Sequence, residues 1–197
     1  LSRELEVRGH AVEIVLPRYD CMREDQVWDL HVVDHELWVP WDGGAIPCTI
    51  SFGFAHGRKC YFIEPRSSQG FFDRGTYYGF PDDAERFAFF SKAALEFLLK
   101  AGKRPDVIHT HDWQTGLVPV LLFELYQSLG VTHPRVCYTL HNLQHQGVTR
   151  EHILRATGLN RPAHFFHPDR LQDNFNRGAI NLMKGGIVYS NFITTVS

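Results

Sequence analysis

Two short strings gather most of the side chains that could handle a hydroxyl-rich ligand. The first, His109-Thr110-His111-Asp112-Trp113-Gln114, sets imidazoles, a carboxylate and an indole at the point where a strand-forming run gives way to an apolar helical one. The second, His141-Asn142-Leu143-Gln144-His145-Gln146-Gly147, follows another strand-forming run in the same way. Carboxylates and amides satisfy the donors and acceptors of neighbouring sugar hydroxyls bidentately, and an aromatic ring packs on the apolar face of a pyranose. His, Asp, Asn, Gln and Trp together therefore suit a carbohydrate. A lone His or Trp near a strand end is more often a satisfied structural residue; clustering at two strand ends is what favours a site.

Two further groups invite chemistry. His109 and His111, two apart on a strand and followed by Asp112, resemble the start of a metal-ligand set. No HxxDH-type partner follows, so no metal is expected, and a metal-dependent hydrolase is the lesser alternative. In Tyr77-Tyr78-Gly79-Phe80, Tyr78 is a candidate sugar platform, whereas Phe87, Phe89 and Phe90 fall at helical spacing and belong to the core by default.

The elements that must position these loops follow from periodicity. Residues 1–8 have helical spacing and run into Gly9, and 11–16 reads as a buried strand stopped by Pro17. A helix feeding a strand through a short turn is the second half of a βαβ unit, so a first strand and its loop are expected upstream of Leu1. Residues 28–64 read as short strands and hairpins at 30–33, 36–39, 49–52 and 59–63, broken by Asp42-Gly43-Gly44 and His56-Gly57, with the last run joining the main sheet. Pro81-Asp82-Asp83 opens a helix in which Ala84, Phe87, Ala88, Ser91, Ala94, Leu95 and Leu98 share one face and which ends at Gly102. Strand 106–110, helix 116–129 and strand 135–140 then set the rhythm of a parallel sheet, and helix 180–190 leads into a closing strand at 192–196. The fold class is α/β, a Rossmann-like, doubly wound, mostly parallel sheet forming one domain over residues 1–197. In such sheets ligands bind beyond the carboxyl ends of the strands, where both polar strings lie. If the two strands are neighbours, Asp112 and His141 open onto one crevice.

Composition narrows the partners. The 197 residues are 44% hydrophobic, enough to bury a sizeable core, and 20 Lys+Arg against 22 Asp+Glu give a charge of -2. No basic run would track a phosphate backbone, so nucleic acid is not expected. No apolar run approaches the roughly 20 residues of a membrane helix, and the first residues lack signal-peptide order, so a soluble, unsecreted protein is expected. Cys21, Cys48, Cys60 and Cys137 are widely spaced with no CxxC pair, as befits free structural thiols.

The strings HDWQTG, THPRVCYTLHNLQHQG and KGGIVYSNFITTVS, with Phe71-Phe72-Asp73-Arg74 ahead of the Asp82-to-Glu96 helix, resemble glycogen and starch synthases in order and spacing. The likeness spans nearly the whole chain and is closest to bacterial glycogen synthases and plant starch synthases of the class III/IV type, among the retaining family-5 glycosyltransferases. It implies the acceptor-side N-terminal half of a two-domain GT-B enzyme that moves glucose from ADP-glucose to the non-reducing end of an α-1,4-glucan with retention of configuration. By motif match, Asp112 and Trp113 would line the acceptor side and His141 would contact the transferred glucose near its 6-hydroxyl. Asn142 would support that loop, and Tyr78 would meet the glucan. Retention by front-side attack would leave the protein to position reactants and stabilise charge, with no cofactor beyond the ADP-glucose donor.

The family's Lys-x-Gly-Gly-Leu loop is expected upstream of Leu1, and the C-terminal domain that clamps the donor pyrophosphate does not match within the chain. The chain alone is therefore expected not to turn over ADP-glucose. A glucan-binding module without transfer activity is the alternative. The resemblance places the protein in a bacterial cytoplasm, or in a plastid stroma if the source is a plant or alga.

Overall fold

The computed structural model describes residues 1–196; Ser197, which ends the last quoted string, lies outside them. The chain divides into two compact units, one of residues 1–39 and 46–79, the other of residues 40–45 and from Phe80 onward.

In the first unit a short helix, α1 (Ser2–Val7), turns at Gly9 with φ +90° and leads to β1 (Glu13–Pro17), as the helical spacing and Pro17 suggest. Three long strands follow: β2 (Val27–Trp41), β3 (Gly44–Ala55) and β4 (Arg58–Pro65), in the sheet order β1-β4-β3-β2. The runs at 30–33 and 36–39 are one strand of 15 residues rather than two. The polar pair between them stays extended because the Asp34 carboxylate accepts the Glu36 amide at 2.9 Å and Arg66 Nη2 donates to the His35 carbonyl at 2.7 Å. Each hairpin turns through two successive residues of positive φ, Asp42-Gly43 (48° and 76°) and His56-Gly57 (48° and 74°). That sign matches the right-handed twist of paired strands and is the reason for the glycines. β4 pairs antiparallel with β3 and parallel with β1, Leu16 lying beside Phe62, so the last of the four runs joins β1, a strand expected to be buried but buried only at Pro17, with Leu16 40% exposed. Cys48 and Cys60 are buried in this sheet, and burial pushes the Cys48 thiol up to about 12. All four cysteines are free.

The second unit opens with α2 (Asp83–Lys100), whose acidic residues Asp83 and Glu85 sit in its first turn as the helix dipole favours. The spacing suggests a helix with one buried face, but burial extends around most of it. Phe87, Phe89 and Phe90 are core, yet so are Arg86, Lys92 and Glu96. Each buried polar group is satisfied: Arg86 Nε donates to Asp83 at 2.8 Å, Lys92 Nζ to the Thr157 carbonyl at 2.6 Å, and the Tyr126 hydroxyl to Glu96 at 2.8 Å. Without such partners, each would carry a desolvation penalty of several kcal/mol.

Next come β5 (Val107–His111) and α3 (Leu117–Leu121), the latter running into a wider π turn at Leu122–Tyr126. β6 (Arg135–Leu140) and β7 (Val148–Thr149) precede two short helices, α4 (His152–Ala156) and α5 (Pro162–Phe165). The chain then forms β8 (Ile180–Asn181), α6 (Leu182–Tyr189) and β9 (Phe192–Thr195). β5, β6 and β9 form a parallel sheet in that order. The helix suggested from residue 180 starts two residues later because Ile180 and Asn181 pair with Thr149 and Val148. Asn181 then caps α6, its side-chain oxygen accepting the Lys184 amide at 2.9 Å. Among the described residues no helix is long and apolar enough to cross a membrane.

Glycines allow α6 to pack closely. A Cβ on Gly186 would sit 2.5 Å from the Tyr138 ring, and one on Gly116 would fall 2.2 Å from the Leu182 carbonyl oxygen. The second obstacle is backbone and cannot rotate away. Gly116→Ala is therefore expected to destabilise the protein by about 1–3 kcal/mol, the usual range for overpacking, read as a lower urea midpoint at unchanged slope. A midpoint equal to wild type would show that α6 is not held against the 113–116 turn.

Candidate active site

β5 and β6 are neighbours, so the two polar strings emerge side by side at the carboxyl ends of adjacent parallel strands. The register places His111 opposite Thr139 and leaves Asp112 and His141 just beyond the paired segment. The Asp112 amide extends the pairing by donating to the Thr139 carbonyl at 3.0 Å. Its own backbone then takes φ 51° and ψ -174°, a conformation that costs a non-glycine residue on the order of 1–3 kcal/mol. The carboxylate accounts for it: Asp112 Oδ1 accepts the backbone amides of His141 at 2.7 Å and of Asn142 at 3.2 Å. One side chain thus fixes the start of the second loop onto the end of the first.

This clamp presents His141 and Asn142 outward, both exposed. The Asn142 side-chain oxygen accepts the Gln144 amide at 2.8 Å and starts the turn that follows. The far side of the loop is held from α6: the Leu182 and Met183 amides donate to the Gly147 and Gln146 carbonyls, at 3.3 and 3.1 Å. Asn181 Nδ2 donates both to Gln146 Oε1 at 2.6 Å and to Asp173 Oδ2 at 2.9 Å. This Gln146-Asn181-Asp173 set escaped sequence reasoning. The one available signal was an Asn immediately ahead of an apolar helical run, the usual sign of a cap.

Trp113 is half-buried. Its ring meets Phe87 edge-on at 5.5 Å and packs against Tyr138, Leu140 and Met183. A Cβ on Gly147 would fall 2.5 Å from the indole, so the loop backbone lies directly on the ring. The indole is thus a floor beneath the loop as well as a candidate sugar surface. Tyr78 belongs to the first unit, where it is 66% exposed in a loop that Asp20 secures by accepting the Gly75 amide at 2.8 Å. His111, Asp112, Trp113, His141 and Asn142 therefore come together, and Tyr78 stands in a separate body.

Histidines and hydroxyls line the floor of the strands. His109 and His111 stack at 4.5 Å and 20°, and His111 Nδ1 lies 3.0 Å from His141 Nε2. His109 Nε2 contacts Thr139 Oγ1 at 2.6 Å, and that hydroxyl contacts Thr194 Oγ1 at 2.6 Å, a polar row across all three strands. Among the described residues no three His, Cys, Asp or Glu side chains converge on a metal position. A cavity of about 780 Å³ lined by Leu98, Lys103, Arg104, Val131 and Arg135 lies at the amino ends of β5 and β6, and holds none of the candidate residues.

Burial, with His109 and His141 nearby, lowers His111 from 6.5 to about 4, and burial with His141 nearby lowers His109. Between the unfolded value of 6.5 and the folded value near 4, the unfolded chain binds more protons, so stability is full above 6.5 and is lost as pH falls towards 4. His111→Phe removes this proton-linked loss. The urea-unfolding free energy is therefore expected to fall less steeply from pH 7 to pH 5 in that variant than in wild type, and equal slopes would refute the assignment.

The comparisons with known proteins agree on one family. The family model described as the starch synthase catalytic domain matches residues 1–197. The chain is 66% identical to glycogen synthase 2 of Methylococcus capsulatus and 68% identical to glycogen synthase 1 of a Synechococcus species, over all 197 residues and 40% of each relative. It superposes at a TM-score of 0.96 and 43% identity on the solved catalytic domain of starch synthase IV from Arabidopsis thaliana bound to ADP and acarbose, again covering the whole chain and 40% of that protein. The chain thus spans about two fifths of the length of its relatives, and it belongs to the starch synthase catalytic-domain family.

Proposed function

We propose that the chain is the acceptor-side part of a glycogen or starch synthase, which transfers glucose from ADP-glucose to the non-reducing end of an α-1,4-glucan with retention of configuration. The observation that carries this reading is the Asp112 clamp on His141 and Asn142, set at the carboxyl ends of adjacent parallel strands in a fold shared with a starch synthase solved with ADP and acarbose. A loop held this firmly suits a reaction whose catalysis is chiefly placement.

In this reading the exposed His141 imidazole contacts the glucosyl unit being transferred, near its 6-hydroxyl, and Asn142 shapes the loop around it. Asp112 Oδ1 already accepts two backbone amides, so the carboxylate orients the loop instead of attacking the sugar. That fits front-side attack, in which the acceptor hydroxyl gives its proton to the leaving phosphate and no enzyme nucleophile is required. The exposed part of Trp113 contributes to the acceptor wall, and Tyr78 offers a stacking surface for the glucan. ADP is held mainly by a second domain of the full-length protein, and the reaction needs no cofactor besides the donor. The setting is a bacterial cytoplasm or a plastid stroma.

Two variants of the full-length protein test the reading. His141→Ala is expected to lower kcat by roughly 10²-fold while leaving the KM for glucan within a few-fold, the pattern of a contact made to the reacting sugar. Glucan binding with no ADP release by the wild-type protein would overturn transfer in favour of a binding module, and wild-type turnover in His141→Ala would remove that residue from the site. Asp112→Ala is expected to lower kcat at least as far and also to reduce stability, since it abandons two backbone amides and leaves a positive φ without its compensating contacts.

A further inference from the structure

His111 Nδ1 and His141 Nε2 are 3.0 Å apart, with the rings tilted by 36° and their centroids 5.2 Å apart. Two imidazole nitrogens at that distance share a single hydrogen bond, so one carries the proton and the other must be bare. Whichever nitrogen of His141 faces His111, the other ring nitrogen has the opposite character and faces outward. Choosing the state of the shared bond therefore chooses whether His141 offers a ligand a donor or an acceptor.

On its side of the bond, His111 is held in place. Its ring is stacked on His109, and its amide and carbonyl are tied to one hydroxyl: the His111 amide donates to Thr115 Oγ1 and that hydroxyl donates to the His111 carbonyl, both at 2.7 Å. His109 is held in turn by Thr139, and Thr139 by Thr194. His141, by contrast, is exposed and is fixed through its backbone amide by Asp112. Asp112 positions the main chain of His141 and does not hold its ring; among the described residues the hydrogen-bond partner of that ring is His111. Burial keeps His111 neutral near pH 7, so a second proton does not enter the bond and push the rings apart.

We propose that His111 is the positioning residue of His141, setting through its Nδ1 both the orientation of the His141 ring and the nitrogen that carries its proton, so that one defined nitrogen faces the transferred sugar. The inference rests on the glucosyl-transfer reading for its consequence in catalysis, and on geometry alone for the coupling of the two rings. His111 does not itself touch the substrate.

The test uses the full-length protein and two substitutions that separate the ring stack from the hydrogen bond. His111→Phe keeps a ring on His109 and removes the bond; His111→Asn keeps a polar atom near the Nδ1 position and gives up the stack. In histidine-labelled protein, with the His141 signals assigned from their loss in His141→Ala, the imidazole nitrogen shifts of His141 are expected to report one tautomer in wild type and in His111→Asn. They are expected to report a mixture in His111→Phe. In steady-state assays His111→Phe is expected to lose about 10-fold or more in kcat, with KM for ADP-glucose and glucan within about twofold, whereas His111→Asn recovers most of that loss. The double variant His111→Phe/His141→Ala is expected to be no slower than His141→Ala alone.

A His141 tautomer mixture in wild type, or one unchanged by His111→Phe, would overturn the coupling. So would a further loss in the double variant, which would give His111 a role apart from His141. If His141→Ala itself turns over like wild type, the transfer reading of His141 fails, while the nitrogen shifts still judge the coupling on their own.

Discussion

The site depends on one carboxylate oxygen. Asp112 Oδ1 takes two backbone amides from the loop beyond β6, while the backbone of Asp112 is bent into a region of φ that most residues avoid. Neither feature is stable alone. The positive φ turns the side chain back across the strand ends, and the two amides offset what that turn costs. The main chain of His141 and the turn that Asn142 starts take their position from it. Removing the carboxylate would leave an unusual backbone with nothing to justify it, and two amides facing outward with no partner.

A second layer keeps the clamp from shifting as a body. The indole of Trp113 sits between Phe87 and the Gly147 backbone, and Asn181 fastens the same loop from below while capping α6. The loop is therefore gripped at its start by charge, along its length by an aromatic face and at its end by backbone hydrogen bonds. These three kinds of interaction respond differently to salt, heat and substitution.

The sequence carried the positions of the site better than the means by which it is held. His109 to Gln114 and His141 to Gly147 could be placed at strand ends because parallel strands announce themselves as apolar runs followed by polar loops. The adjacency of those strands was a guess that the β5-β6 pairing supports. What could not be read was anything set by long-range partners. The φ 51°, ψ -174° backbone of Asp112 has no local signature, since the amides that compensate it come from residues 141 and 142. The burial of Lys92 and Glu96 broke the one-faced pattern of α2, because their partners, Thr157 and Tyr126, come from elements 30 to 65 residues away. The single long strand β2 was read as two for the opposite reason. Its interrupting residues, Asp34 and His35, are turn formers by type but are kept extended by their own surroundings.

The two hairpin turns that join β2, β3 and β4 need only two residues each, Asp42-Gly43 and His56-Gly57, to set the pairing of three strands. The polar loops of the second unit need residues about 30 positions apart for the Asp112 clamp and 35 for the Gln146-Asn181 bond. Loop closure over such spans costs entropy before any contact rewards it, whereas a two-residue turn costs little. Contacts near in sequence close at a lower entropic cost than contacts that span tens of residues, so the meander is the part of the chain that depends least on the rest, and the polar loops are the part that depends on distant segments having already met.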